Sequence, residues 1–214
     1  MKTKLFGVLL FVFLFIVFSL NVADATTGPA TQAIQKPIGD IIAVLEDPIY
    51  KNGTRFIEQR DKIKAIAVPY YDFPAIAQAT ISRSNWNRFS DSEKIEFINV
   101  FTTFISNLYA EQLQANYGGE EVQFIAEQVK SSTKVYVKSI VVQKNGTKTP
   151  IDYSLWLKDG RWKIYNVFVE GTSLLGNYRN EFDRVLAKQT PADLIKILND
   201  KVALQRTKGS AVRK

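Results

Sequence analysis

Asp72, Tyr153 and Glu170 are the side chains of this 214-residue chain best suited to acid–base chemistry. A desolvated carboxylate beside a tyrosine can pass a proton without a cofactor. What they lack is company. The chain holds no histidine and no cysteine. That removes the commonest general base, the usual triad partner, the thiolate nucleophile and the main zinc ligands. Nothing in the spacing of Asp72, Tyr153 and Glu170 forces them together, and no metal or cofactor is implied.

A richer chemistry is that of burial. The stretch "FSDSEKIEFINVFTTFISNLYAEQLQANYGG" puts Phe97, Phe101, Phe104 and Leu108 on one helical face. Ile98, Ile105, Tyr109 and Leu113 widen that stripe beyond what one buried contact requires. Downstream the apolar period changes to two. In "PIDYSLWLK", Ile151, Tyr153, Leu155 and Leu157 alternate with Asp152, Ser154, Trp156 and Lys158. Such alternation marks a strand with one apolar face. Trp162, Ile164 and Phe168 are expected to continue it. An aromatic helix face against an apolar sheet face can fill a core or wall a cavity for acyl chains.

The elements that must position these residues follow from the punctuation. Lys2 and Lys4, an apolar run from Leu5 to Leu20 and an A-x-A arrangement at Ala23 and Ala25 read as a secretory signal peptide, residues 1–25. Cleavage there predicts an exported domain over 26–200 and a basic, flexible tail over 201–214. With no cysteine the domain is held by packing alone, which suits a periplasm. Thr26–Thr31 reads as a flexible lead-in. Helices are predicted around Ile38–Leu45, over Phe56–Val68 and over Pro74–Ile81. Ser90 and Glu93 form a capping box for the long helix. Four strands follow, over Val122–Val129, Lys134–Gln143, Pro150–Lys158 and Trp162–Val169, with Asn145-Gly146 and Asp159-Gly160 at hairpin turns. Asn52, in the other "NGT", reads as a turn too. Helices over Ser173–Lys188 and Pro191–Asp200 close the domain. Between the last strand and the first of these, Gly171 allows a sharp corner, Glu170 accepts helix amides, and Ser173 is the cap. Leu174, Leu175, Tyr178 and Phe182 are then expected inward. Arg179 is placed to meet a phosphate or, as the ordinary i,i+4 pair, Asp183.

The fold class is therefore α+β, with helices packed on one face of a curved antiparallel sheet. The net charge of +7 suits an anionic partner, and membrane headgroups fit as well as an ordinary solvated surface. No basic run is interleaved with aromatics, so no nucleic acid is expected.

"YSLWLKDGRWKIYNVFVEGTSLLGNYRNEFDRVL" resembles the C-terminal signature of the MlaC (toluene-tolerance) family of periplasmic phospholipid-binding proteins. Gly160, Trp162, Tyr165, Glu170-Gly171, Ser173, Tyr178-Arg179 and Phe182 carry the likeness, and "DLIKIL" at Asp193–Leu198 fits the last helix. The helical half from "DFPAIAQATISRSNWNRF" onward is similar as well. The departures are Asn166 after Tyr165, Thr172 within "EGTS", and "KQTPADL" in place of a Gly-rich turn; none removes an apolar wall.

The resemblance implies an NTF2-like cup with an apolar cavity and no catalysis. It implies a monomeric carrier of phospholipid between an outer-membrane lipoprotein complex and an inner-membrane complex of an MCE-domain protein with an ABC transporter. A hopanoid-associated relative, an enzyme on an NTF2-like cup and a cavity-free adaptor are the alternatives. The residues expected against lipid are Phe73, Ile76, Phe97, Phe101, Phe104, Leu108, Val137, Tyr153, Leu155, Ile164, Phe168, Leu174 and Tyr178.

Overall fold

The computed structural model describes residues 27–211. The expected signal peptide lies outside the described residues. Seven α-helices and one five-stranded sheet are present among them.

Helix α1 runs over Pro29–Glu46, with Pro29 in its first turn. The second half of the expected lead-in, Pro29–Thr31, is thus helical: Pro29 has the preset φ that a first turn favours. Asp47 ends α1 and accepts a hydrogen bond from the Ile49 amide, opening a 3-10 turn at Pro48–Tyr50. Asn52 accepts from the Thr54 amide, and Asn145 from that of Thr147, so both "NGT" triplets are turns. Helix α2, Phe56–Ala67, leads through a second 3-10 turn at Val68–Tyr70 to α3, Phe73–Ala79, and the single-turn α4, Arg83–Trp86.

Helix α5, Asp91–Asn116, starts on the predicted capping box: the Glu93 amide donates to Ser90 Oγ and the Ser90 amide donates to Glu93 Oε2. Helix α6 spans Leu174–Leu186 and α7 spans Pro191–Ala211. Residues 201–211, expected as a flexible tail, continue α7. Val202 and Gln205 are buried, and Gln205 bonds both Asn107 and the Phe104 carbonyl of α5. Those contacts offset the entropy that would otherwise fray a helix end.

The strands are β1 (Glu121–Ser131), β2 (Lys134–Val142), β3 (Lys148–Lys158), β4 (Arg161–Val169) and β5 (Thr172–Ser173), antiparallel in chain order. Asp159 and Gly160 both have positive φ, as a two-residue hairpin turn of the primed type demands. Three β-bulges reset which side chains face which way. Ile125 and Lys130 are the extra residues of β1, and Tyr165 that of β4. Ile164 and Val167 therefore share one face, and Phe168, paired with Asp152, sits on the other. The expectation that Phe168 continues the face of Trp162 and Ile164 is corrected by that bulge.

The inner face carries Val135, Val137, Tyr153, Leu155 and Ile164, covered by Ala30 and Ile34 of α1. The outer face is not simply wet. Asp152 and Ser154 are buried there, with Asp152 accepting from the Tyr136 hydroxyl and the Ser139 amide.

Candidate functional site

The apolar residues form two clusters. One is helical: Phe97 and Phe101 of α5 pack with Phe182 and Leu186 of α6 and with Leu194 and Leu198 of α7. Its rings meet edge-on, Phe97 with Phe182 at 5.9 Å and Phe101 with Tyr178 at 6.0 Å between centroids. Such geometry suits ring quadrupoles. The other cluster is the inner sheet face under α1. Tyr71 packs against both. Helix α5 lies on α2, α3 and α7.

The seam between the clusters is apolar. Leu108, Tyr109, Leu175 and Tyr178 face it from the helical side, half-buried; Ile38, Phe124, Ile151 and Val167 do so from the sheet side. Where the two sides meet, tyrosines from four elements gather. Burial, then the nearby Tyr153 and Tyr109, pushes the Tyr71 hydroxyl well above its ordinary range. Burial likewise pushes Tyr153 up to about 12, although its hydroxyl bonds Ser139. Tyr178 is raised by burial and by the neighbouring Tyr109, whose hydroxyl it meets. All four stay neutral near pH 7, so the junction offers hydroxyl dipoles without charge.

The residues expected against lipid divide between these walls. Phe73, Ile76, Phe97, Phe101 and Phe104 lie in the helical cluster, with Leu108 and Tyr178 packed on its margin. Val137, Tyr153, Leu155 and Ile164 lie in the sheet cluster. Leu174 is half-buried at the start of α6, and Phe168 is on the outer face against Tyr136. Sequence reasoning passed over Tyr71 and Tyr109 as lining. The signal for Tyr71 was an extended aromatic pair, "PYYDFP", between two short helical turns.

The acid–base trio is not assembled. Asp72 caps α3 through the Ala75 amide, and its other oxygen accepts from Trp156 Nε1 at 3.2 Å and Lys158 Nζ at 2.7 Å. Tyr153 is on the inner face. Glu170 is exposed and accepts no helix amide, contrary to expectation. It has φ 50° and Gly171 has φ 77°, so the pair forms the tight turn joining β4 to β5. The opening of α6 is satisfied instead by Ser173, which accepts from the Gly176 amide and also pairs with Asn166. Arg179 forms no ion pair with Asp183: its Nε and Nη2 donate to the Ala79 carbonyl at the end of α3. Asp183 accepts from Asn85 and the Ser82 amide. Among the described residues no group of acidic side chains could hold a metal ion.

Two grooves mark the surface. One of about 480 Å³ runs between α5 and α7, with Ile95, Val100 and Val202 along it. It lies on the far side of α5 from the seam. One of about 380 Å³ surrounds Asp72 at the turn end of the β3–β4 hairpin, with Lys158, Arg161 and Lys163 around it.

A sheet of this order, with two separate apolar walls and no reactive cluster, fits a binding fold. The family model for the MlaC protein matches residues 35–200, and the chain belongs to that family. It is 26% identical over 178 residues to the intermembrane phospholipid transport system binding protein MlaC of Haemophilus influenzae, covering 78% of each chain. Its fold matches the phospholipid-binding protein of Ralstonia solanacearum, solved in complex with a phospholipid. That match has a TM-score of 0.72 at 23% identity and covers 84% of this chain and 99% of that one.

Proposed function

We propose that this chain is a soluble periplasmic phospholipid carrier, and that the acyl chains lie in the seam between α5 and the inner face of the sheet. One observation supports the reading: the aromatic face of α5 and the inner face of the sheet belong to two distinct buried clusters that are joined at Tyr71. Each methylene removed from water is worth about 0.8 kcal/mol, so two acyl chains represent on the order of 20 kcal/mol. A carrier must match that apolar environment or lose its cargo to a bilayer.

The neutral tyrosines at the junction tolerate an acyl chain and still hydrogen-bond at their tips. They offer no charge to select a headgroup, so selectivity rests on the tails. In this reading the family relationship supplies the setting: lipid passes between an outer-membrane lipoprotein complex and an inner-membrane MCE-domain/ABC transporter complex, and the protein works as a monomer. The residues against lipid are the half-buried Leu108, Tyr109 and Tyr178 with Phe124 and Val167, and, beneath them, Phe101, Phe104, Val137 and Tyr153.

The test is native mass spectrometry of the protein purified from the periplasm, followed by lipid extraction. Phospholipid bound to the chain, in headgroup proportions close to those of the cell, is the expected result. A lipid-free mass with no uptake from vesicles refutes the carrier reading; strong enrichment of one headgroup refutes the tail-selective part.

A further inference from the structure

The outer face of the sheet carries a pattern that no continuous stretch of the sequence shows. Lys134 and Lys138 of β2 point outward, across from Trp156 and Asp152 of β3. Lys158 of β3 lies opposite Arg161 of β4, and Trp156 opposite Lys163. Lys130 of β1 sits over the ring of Tyr136, 5.8 Å from its centre. Cations from four strands thus share one face. Their acidic neighbours are largely engaged: Asp152 is buried on Tyr136 and the Ser139 amide, and Asp72 on Trp156 and Lys158. Asp159, at the hairpin tip, is exposed. Among the described residues, Lys134, Lys138 and Arg161 hold no ion pair.

Between the cations lie aromatic side chains with polar tips. Trp156 stacks on Tyr165 at 4.7 Å, and Tyr136 meets Phe168 edge-on at 5.5 Å. No helix packs extensively across this face: α1 covers the inner one, and α3 and α6 meet the sheet at β4, its far edge.

We infer that this outer face is a docking surface for an anionic lipid bilayer. Three partners compete for such chemistry, and the arrangement separates them. Single-stranded nucleic acid needs open ring faces for its bases to stack on. Here those faces are taken up by one another and by Lys130. A stable protein interface has an apolar centre depleted of lysine and of charge. Here the centre is Lys134, Lys138 and a buried aspartate. Lysine and arginine interspersed with tryptophan and tyrosine, on one broad surface, is the composition that sits at the headgroup layer of an anionic membrane. The aromatic rings are engaged with one another, Trp156 on Tyr165 and Tyr136 on Phe168, so the contact is peripheral and does not insert. Its purpose, bringing a loaded carrier to a membrane, rests on the carrier reading; the surface itself does not.

The experiment is flotation of the periplasm-purified protein with vesicles of phosphatidylcholine, with and without about one-third phosphatidylglycerol. The sheet variant K134E/K138E/R161E is compared with K51E/R83E/K188E, which has the same net charge but alters exposed positions away from the sheet. Expected is binding to the anionic vesicles alone, released by high salt, weakened at least about a hundredfold in the sheet variant and retained in the other. Native mass spectrometry of both variants should still find bound phospholipid. The inference is overturned if the wild type ignores anionic vesicles, which leaves this face to an acidic protein, or binds neutral ones equally. Equal loss in both variants also overturns it, since bulk charge then suffices. A protein that carries no phospholipid yet floats through this face would sink the carrier reading and leave the docking surface standing.

Discussion

The two apolar clusters are built on opposite plans. The helical one is aromatic, gathers five helices and is closed on itself, with Phe97 in ring contact with Trp86, Phe89, Phe101 and Phe182. The sheet cluster is aliphatic, small, and covered by one helix. That helix is fixed by its first turn. Thr31, almost fully buried, donates from both its amide and its hydroxyl to Glu127 Oε2, each at 2.7 Å. Gly28 makes this possible, because a Cβ there would stand 2.1 Å from Glu127 Oε1. The first cluster is the larger, and the second rests on one helix held by these bonds.

The sharpest way to break the contrast is to hollow out each side. Phe97→Ala should lower stability by about 3–5 kcal/mol in urea denaturation, with little change in the lipid bound per folded molecule. Ile34→Ala, under α1, should cost about 2–5 kcal/mol and, unlike the first, also reduce bound lipid. Equal lipid loss in the two variants would erase the distinction between the clusters. Thr31→Val should cost about 1.5–3 kcal/mol, since it strips a hydrogen bond from a charged acceptor; Gly28→Ala should act in the same direction by displacing Glu127. Hydrogen exchange should localise either loss to α1.

Ser90→Ala has the smallest effect, about 1 kcal/mol near neutral pH, and should leave lipid untouched. Its pH dependence sharpens it. The backbone and side chain of Ser90 hold Glu93 below its ordinary 4.5. The unfolded chain therefore takes up this proton first as pH falls, so the stabilisation is complete above 4.5 and fades as pH drops through the folded-state value. The gap between wild type and variant should narrow in acid.

Much of this architecture was legible because it is local. The capping box at Ser90/Glu93, the Asp159-Gly160 turn and the strand alternation each depend on residues a few positions apart. The bulge at Tyr165 was not, since an alternation that slips by one residue looks unbroken until the partner strand shows the slip. Phe168 was misplaced for that reason. Glu170 was misjudged because a carboxylate before a helix suggests a cap, whereas its positive φ had spent it on the turn. The partners of Arg179 and Glu127, 100 and 96 residues away, carry no local signature. For the candidate site, the walls could be read from periodicity; that they form two clusters joined at Tyr71 could not, because that belongs to tertiary packing.

Tyr71 and Asp72 have one more consequence. Asp72 donates its amide to the Ile164 carbonyl, and Tyr71 bridges Ile164 in parallel, so a segment from the helical half lies along the outer edge of β4. The four long strands can pair by successive hairpins, each closing a short loop. This last contact must wait for a chain segment some 90 residues earlier, and Trp156–Asp72, 84 residues apart, is part of the same closure. Loop closure of that length is the slow, entropically expensive step in assembling a small domain. Folding therefore has a natural order: meander first, capture of its bare edge last. Until that contact forms, the edge of β4 around Ile164 stands unpaired, and the segment that meets it there also carries the tyrosine that joins the two apolar walls.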